Sequence, residues 1–215
     1  AFNDSLTGDA GANVFRGLNG NDTLTGLGGN DTYIFVDGFG QDTIVEAAAG
    51  GSDTLDFSAV TNGLSLNINA SSLTGGYGAN SITLNGLTAE VLIASLADDI
   101  FNFTAGGSFN GSINGFTGID TFDYHLYTGG VNVNLSTGAA TGTLGVSNIE
   151  NLIGSNYADT LTGDDHDNVI TGGAGNDMLT GLGGNDLYLF QDNFGVDSIV
   201  EAALGGEDTM DFTAV

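Results

Sequence analysis

Oxygen-bearing side chains recur in this sequence at intervals of nine. Asp4, Asn13, Asp22 and Asp31 follow one another at that spacing, and Asp159, Asn168, Asp177 and Asp186 repeat it near the other end. All but Asp4, which lies in the half phrase "NDSLT", sit in a glycine-rich phrase of nine: "GDAGANVFR", "GLNGNDTLT" and "GLGGNDTYI" early, and "GSNYADTLT", "GDDHDNVIT", "GGAGNDMLT" and "GLGGNDLYL" late. With the first Gly as position one, position six is Asp or Asn and position eight is apolar. Carboxylate and amide oxygens among accessible backbone carbonyls are the donors a hard cation takes. The chain has no Cys, so thiolate metal sites and disulfides are unavailable and calcium is expected ahead of zinc or copper.

Composition points the same way. The 215 residues carry a formal net charge of -26, from one Lys+Arg against 27 Asp+Glu, and include 37 Gly and no Pro or Trp. With Arg16 as the single strong cation, the chain cannot neutralise a phosphate backbone or dock on an anionic lipid surface. Nucleic acid, membrane surfaces and acidic polysaccharide are therefore excluded as partners. No apolar run is long enough to span a bilayer, so membrane insertion is not expected. Such one-sided charge opposes compaction, yet 40% of residues are hydrophobic, enough for a core once divalent cations offset the charge. The chain starts without Met in mid-phrase, "AFNDSLTG", which predicts an excerpt of a longer protein and leaves a leader peptide undecided.

The nine-residue units fit the calcium-binding β-helix pattern G-G-x-G-x-D-x-U-x. In them the chain resembles the RTX family, the hemolysin-type calcium-binding nonapeptide repeats of bacterial secreted proteins. That resemblance implies an all-β fold, a parallel β-roll or β-helix solenoid with calcium-binding turns and little or no helix. Two nines complete one coil in this family, so turns eighteen apart stack: Asp4 with Asp22, Asn13 with Asp31, Asp159 with Asp177, and Asn168 with Asp186. By the same resemblance a calcium ion sits between stacked turns, held by position-six side chains and by carbonyls of the Gly-rich loops. The loop glycines at issue are Gly17, Gly20, Gly26, Gly29, Gly172, Gly175, Gly181 and Gly184. An Asn/Asp pair brings one less charge than an Asp/Asp pair and is expected to bind more weakly. Beyond the regular nines, Asp42 and Asp53, with Asp197 and Asp208, are second-rank calcium candidates on wider turns; solvated turn carboxylates are an equally open reading.

Larger copies organise these units. Residues 1–60 align without gaps on 156–215 at an offset of 155, with roughly two thirds of positions identical. The chain divides into a first roll block at 1–57, a degenerate β-rich connecting segment at 58–153 and a second roll block at 154–215. The connecting segment has its own copies, 53–68 against 120–135 and 89–101 against 149–161, and alternation such as Leu64, Leu66, Ile68 is the strand period. It reads as further solenoid with longer rungs. Ala89 to Leu96 is rich in helix formers, but its alignment with "IENLIGS" favours strand.

Other residues invite less. His125 has no counterpart in the copy of its segment and reads as a surface or groove residue, and His166 as a perturbed loop position. Carboxylate pairs such as Asp98-Asp99 are too abundant to single out a glycosidase pair, and no nucleophile or phosphate-loop pattern is present, so no enzymatic activity is expected. An ice-binding surface is disfavoured because positions three and four lack Thr. The family implies type I secretion of an unfolded chain and a bacterial, extracellular or cell-surface location. The leading function is a calcium-stiffened stalk, filament, adhesin or surface-layer element built from tandem copies. The alternative is a folding and secretion module of an extracellular enzyme or toxin whose catalytic domain lies elsewhere. Calcium ions are the expected partners, and the sheet edges at either end leave self-association or contact with neighbouring tandem copies open.

Overall fold

In each nonapeptide the last residues extend as a short strand because Thr, Leu, Ile and Val alternate there, and the glycines before them turn the chain. The computed structural model describes residues 2–47, 50–85, 88–202 and 205–215. Among these there is no helix, and 23 strands form three sheets of 12, 6 and 5 strands.

The longest sheet is the spine. It begins with Ser5–Thr7, Thr23–Leu27 and Gln41–Glu46, continues through Asn80–Asn85, Ser72–Tyr77 and Ser65–Ile68, and then takes up Ile100–Thr104 and Thr121–Leu126. Asn151–Ile153, Val169–Thr171, Leu187–Gln191 and Thr209–Ala214 complete it. Two shorter sheets cover its apolar face in succession. The first contains Val14–Phe15, Thr32–Val36, Thr54–Ala59, Val91–Ile93, Ser112–Asn114 and Gly145–Ser147; the second contains Asn132–Asn134, Ala139–Ala140, Thr160–Thr162, Met178–Thr180 and Ser198–Val200. The chain alternates between spine and facing sheet, which is the expected parallel β-roll.

Register follows the sequence spacing. Leu6 pairs with Leu24 and Leu161 with Leu179, eighteen apart. Where the turns widen, Thr23 pairs with Thr43 and Thr32 with Thr54, and the register then shifts by one residue after Thr25 and after Ile34. Every position-eight side chain (Phe15, Leu24, Tyr33, Leu161, Ile170, Leu179 and Tyr188) is buried between the sheets. Each such burial is worth about 1.5–3 kcal/mol, and together they hold the sheets face to face. Aromatic stacks fill the wider coils: Phe35 and Phe57 lie 4.4 Å apart, and their copies Phe190 and Phe212 also 4.4 Å.

The connecting segment departs from an all-parallel solenoid. Ser65–Ile68, Ser72–Tyr77 and Asn80–Asn85 form an antiparallel meander set into the spine. Its outer strands are parallel to Ile100–Thr104 and Gln41–Glu46, so the spine continues through it. Local chemistry explains the reversal. The Asn69 side-chain oxygen accepts the Ser71 and Ser72 N–H groups at 2.9 and 3.0 Å, closing one turn, and Gly78 at φ +55° closes the next. The segment around Ala89 forms the strand Val91–Ile93, as its alignment indicated.

The two copies of the roll block occupy opposite faces. Spine strands Ser5–Thr7, Thr23–Leu27 and Gln41–Glu46 correspond, 155 residues on, to Thr160–Thr162, Met178–Thr180 and Ser198–Val200 of the second facing sheet. Facing strands Thr32–Val36 and Thr54–Ala59 correspond to spine strands Leu187–Gln191 and Thr209–Ala214. A 155-residue unit therefore holds an odd number of half-coils, and its successor is turned by half a coil.

Candidate metal centres

Position six lies where the glycine turn enters its strand, so its side chain meets the same position of the neighbouring coil. Asp22 Oδ1 accepts the Asp4 N–H at 2.8 Å, Asp31 Oδ1 the Asn13 N–H at 2.7 Å, Asp177 Oδ1 the Asp159 N–H at 2.9 Å and Asp186 Oδ1 the Asn168 N–H at 2.8 Å. The four pairs expected from the spacing are stacked. The wide-turn acids extend the same ladder: Asp42 takes the Asp22 N–H, Asp53 the Asp31 N–H, Asp197 the Asp177 N–H and Asp208 the Asp186 N–H, at 2.9 to 3.0 Å.

That bond uses one carboxylate oxygen. Asp22, Asp31, Asp53, Asp177 and Asp186 each keep a buried Oδ2 with no hydrogen-bond partner, and these side chains are at most 2% exposed. An uncompensated buried carboxylate is costly, and the chain's one strong cation, Arg16, is exposed. Burial pushes the carboxyls of Asp42, Asp177 and Asp186 up to about 6, and neighbouring acids add to it. Hard oxygens without donors, in a chain without thiols, fit calcium.

The glycines leave room for these oxygens. A Cβ on Gly17, Gly26, Gly172 or Gly181, at position one, would overlap the Oδ2 of Asp22, Asp31, Asp177 or Asp186. Position-four glycines instead touch the previous coil: a Cβ on Gly175 would stand 2.7 Å from Tyr157 backbone, and those on Gly20, Gly29 and Gly184 would crowd Phe2, Gly11 and His166. Gly29 and Gly184 also hold φ +101° and +104°.

Candidates differ in what they leave free. Asn13 and Asn168 spend the side-chain oxygen within their own nonapeptides, accepting the Asp9 and Asp164 N–H groups at 2.9 Å. Asp159 is satisfied internally, with Oδ1 accepting the Val131 N–H at 2.7 Å and Oδ2 the Ser155 N–H at 2.6 Å while the Ser155 hydroxyl donates to Oδ1 at 2.9 Å. Asp4 and Asp208 are exposed, and Asp197 is half-buried.

Several acids of the ladder escaped the sequence reading. Glu46 approaches Asp31 and Asp53, and Glu201 approaches Asp186 and Asp208, their oxygens within 4.8 Å of one another. The available signal was an acid closing the apolar run "DTIVE" and recurring at the 155 offset in "DSIVE". Asp99, Asp120, Glu90 and Glu150 carry the ladder through the connecting segment. Asp99 N–H donates to Asp120 Oδ1 at 2.7 Å, Asp120 N–H to Glu150 Oε2 at 2.8 Å and Asp53 N–H to Glu90 Oε2 at 2.8 Å. Asp120 Oδ2 is buried without a partner, and burial with the Asp99 charge pushes its carboxyl up to about 7. Glu150 stands nine residues before Asp159 and Glu90 nine before Asp99, but neither lies in a glycine-rich nonapeptide, and Asp120 has no such neighbour.

His125 is exposed, its ring nitrogen 2.7 Å from Asp123 Oδ1, beside a surface groove that Ser155 also lines. The Ser155 hydroxyl is committed to Asp159. His166 is exposed over Asp164.

Residues 1–33 and 145–188 match the RTX calcium-binding nonapeptide repeat, in four copies. No curated protein matches the chain.

Proposed function

We propose that this chain, an RTX-type calcium-binding repeat protein, is a structural segment of a large secreted bacterial protein that folds on calcium outside the cell into a rigid, extended element. The observation that carries this reading is the row of buried, partnerless carboxylate oxygens at Asp22, Asp31, Asp53, Asp177 and Asp186 in a chain of net charge -26. Calcium, when bound, supplies the positive charge and open coordination those oxygens lack. Each aspartate keeps Oδ1 on the previous coil and Oδ2 free, while Gly17, Gly26, Gly172 and Gly181 leave room for Oδ2. At neutral pH and without metal, the turns of the two blocks repel one another and those blocks stay extended, which suits export of an unfolded polypeptide.

Sites with dissociation constants of roughly 10⁻⁴–10⁻³ M fill only at extracellular calcium. At ten times the dissociation constant a site adds about 1.4 kcal/mol, so several must act together, and coils that touch only their neighbours couple them along the axis. The internal copy at an offset of 155 residues favours a length-building role as stalk, filament, adhesin arm or surface layer over a module of a secreted enzyme. The segment is not itself catalytic in this reading.

Far-UV circular dichroism during a calcium titration, with magnesium as control, tests the folding role. At neutral pH a cooperative coil-to-β transition near millimolar calcium is expected, and a β spectrum already complete in chelator at that pH would overturn it. The complete reading frame separates stalk from module by showing further copies or a catalytic domain.

A further inference from the structure

At the end of each nonapeptide block, coils of eighteen residues give way to wider ones, and there the acids change in kind. Glu46 Oε1, Asp31 Oδ2 and the Tyr33 hydroxyl converge on one point over Gly26, where even a methyl group would find no room. Asp31, Glu46 and Asp53 each offer an oxygen within 4.8 Å of the others, a span that two calcium–oxygen bonds of about 2.4 Å cover. Asp31 and Asp53 are 1% exposed, and the Oδ2 atom of each is partnerless. Their Oδ1 atoms are already committed to the Asn13 and Asp31 N–H groups. On its other side, Glu46 Oε2 shares the space over Gly50 with the Leu27 and Ala47 carbonyl oxygens.

The arrangement is built twice. Asp186, Glu201 and Asp208 form the same cluster, with Asp186 Oδ2 and Glu201 Oε1 meeting over Gly181. Tyr188 donates its hydroxyl to Glu201 as Tyr33 does to Glu46. Leu27 and Leu182, whose carbonyls face the two glutamates across Gly50 and Gly205, both hold positive φ, +76° and +79°. Leu18 holds φ +67° and Gly173 +91° at the same repeat position, so this is the backbone of position two, and at the exit it turns the Leu27 and Leu182 carbonyls towards the glutamates.

We propose that Asp31, Glu46 and Asp53, and likewise Asp186, Glu201 and Asp208, form a three-carboxylate calcium site at the exit of each block, the tightest of its block. Glu46, Asp53, Glu201 and Asp208 lie outside the segments that match the nonapeptide repeat. The inference rests on the calcium reading above and deepens it. Three carboxylates exceed the two of an Asp/Asp pair, and ligand charge count raises affinity. It also reverses the ranking drawn from spacing, because Asp31 and Asp186 belong to the Asn-containing sides yet gain two further acids from the wide coil. The site joins a regular turn, the end of a strand and a wide turn, so filling it first fixes the junction from which the regular coils propagate.

Terbium(III), a luminescent stand-in for calcium, tests the site on the whole chain. The chain has no Trp, so excitation falls on Tyr, and the Tyr33 and Tyr188 hydroxyls sit on the proposed ligands. The Glu46→Gln/Glu201→Gln variant should lose most of the tyrosine-sensitised emission that appears at the lowest terbium. Its calcium midpoint by circular dichroism should rise severalfold, with folding still reached at high calcium. Tyr33→Phe/Tyr188→Phe, which keeps every carboxylate, should lose the emission without a rise in midpoint. Unchanged emission in either variant, or an unchanged calcium midpoint in the glutamine variant, overturns the proposal. A native chain fully β-structured in chelator would instead defeat the folding role alone, since terbium emission reports the site independently.

Discussion

Asp177 holds Asp159 through one oxygen and leaves the other bare: Oδ1 accepts the Asp159 N–H at 2.9 Å, and Oδ2 is buried without a partner. The aspartate one coil back has no such vacancy in its bonding, because Ser155 occupies what Asp177 leaves open. Two residues in the same repeat position thus differ in their need for a cation. Asp177→Asn should raise the calcium midpoint of folding several-fold, since it removes a ligand charge while keeping the Oδ1 acceptor. Asp159→Asn should leave the midpoint nearly unchanged but cost about 1–3 kcal/mol in the calcium-loaded state, where an amide NH₂ would face the Ser155 N–H. Calcium titrations and thermal melts of the two variants, side by side, check the contrast.

Acid should replace calcium in part. The carboxyls of Asp42, Asp177 and Asp186 stand near 6 and that of Asp120 near 7 in the metal-free fold, all raised chiefly by burial above an ordinary value of 3.8. A group whose pKa is raised by folding binds its proton more tightly in the folded state. Its favourable contribution is therefore complete below about pH 4 and lost as pH rises through 6 to 7. In chelator, β structure should persist near pH 4–5 and melt towards pH 8. With calcium the slope reverses, because protons compete for the same oxygens. Circular dichroism from pH 4 to 8, with and without chelator, reads both limbs, and a metal-free chain indifferent to acid would contradict the first.

The period of nine made the roll legible because each unit writes its own inward residue and its own turn carboxylate, so Leu24 over Leu6 and Asp22 over Asp4 follow from counting. What counting missed depends on contacts between coils of unequal length. Glu46 reaches Asp31 and Asp53 only because one wide coil folds over a regular one. The meander at 65–85 was hidden for a related reason. Leu66, Ile68, Leu73, Ile82 and Leu84 alternate like solenoid strands, and alternation does not encode direction. The exchange of faces between copies was also out of reach, since it depends on how many half-coils the connecting segment makes.

Position-one glycine is a steric requirement of the carboxylate beneath it. Gly172→Ala would drive a methyl group into Asp177 Oδ2 and should cost about 1–3 kcal/mol with calcium present. Gly129→Ala is the control. It has open space around it and no positive φ, so an alanine there should be neutral or slightly stabilising. Melting temperatures in saturating calcium distinguish the two, and equal effects would mean that the turn relaxes around the added methyl.

Ser95 repeats the role of Ser155. Its N–H and hydroxyl donate to Asp99 at 2.8 and 2.7 Å, and Asp99 also accepts the Leu64 N–H at 2.6 Å. Asp99 therefore has donors on both oxygens, and the adjoining meander contributes no acid to the ladder, with Asn80 accepting the Gly40 N–H in its place. The part of the connecting segment from the meander to Asp99 thus depends least on calcium, whereas Asp120 farther along keeps a partnerless Oδ2. At calcium too low to fold the blocks, amide hydrogen exchange should find Ser65–Ile68, Asn80–Asn85 and Ile100–Thr104 protected while Thr23–Leu27 and Met178–Thr180 exchange freely. Ser95→Ala removes the hydroxyl but leaves Asp99 the Ser95 and Leu64 N–H groups, so it should lower the protection of Ile100–Thr104 without making its coil need a cation as Asp177 does. If every strand gains protection at one calcium concentration, the coils fold as a single unit and the serines contribute only stability.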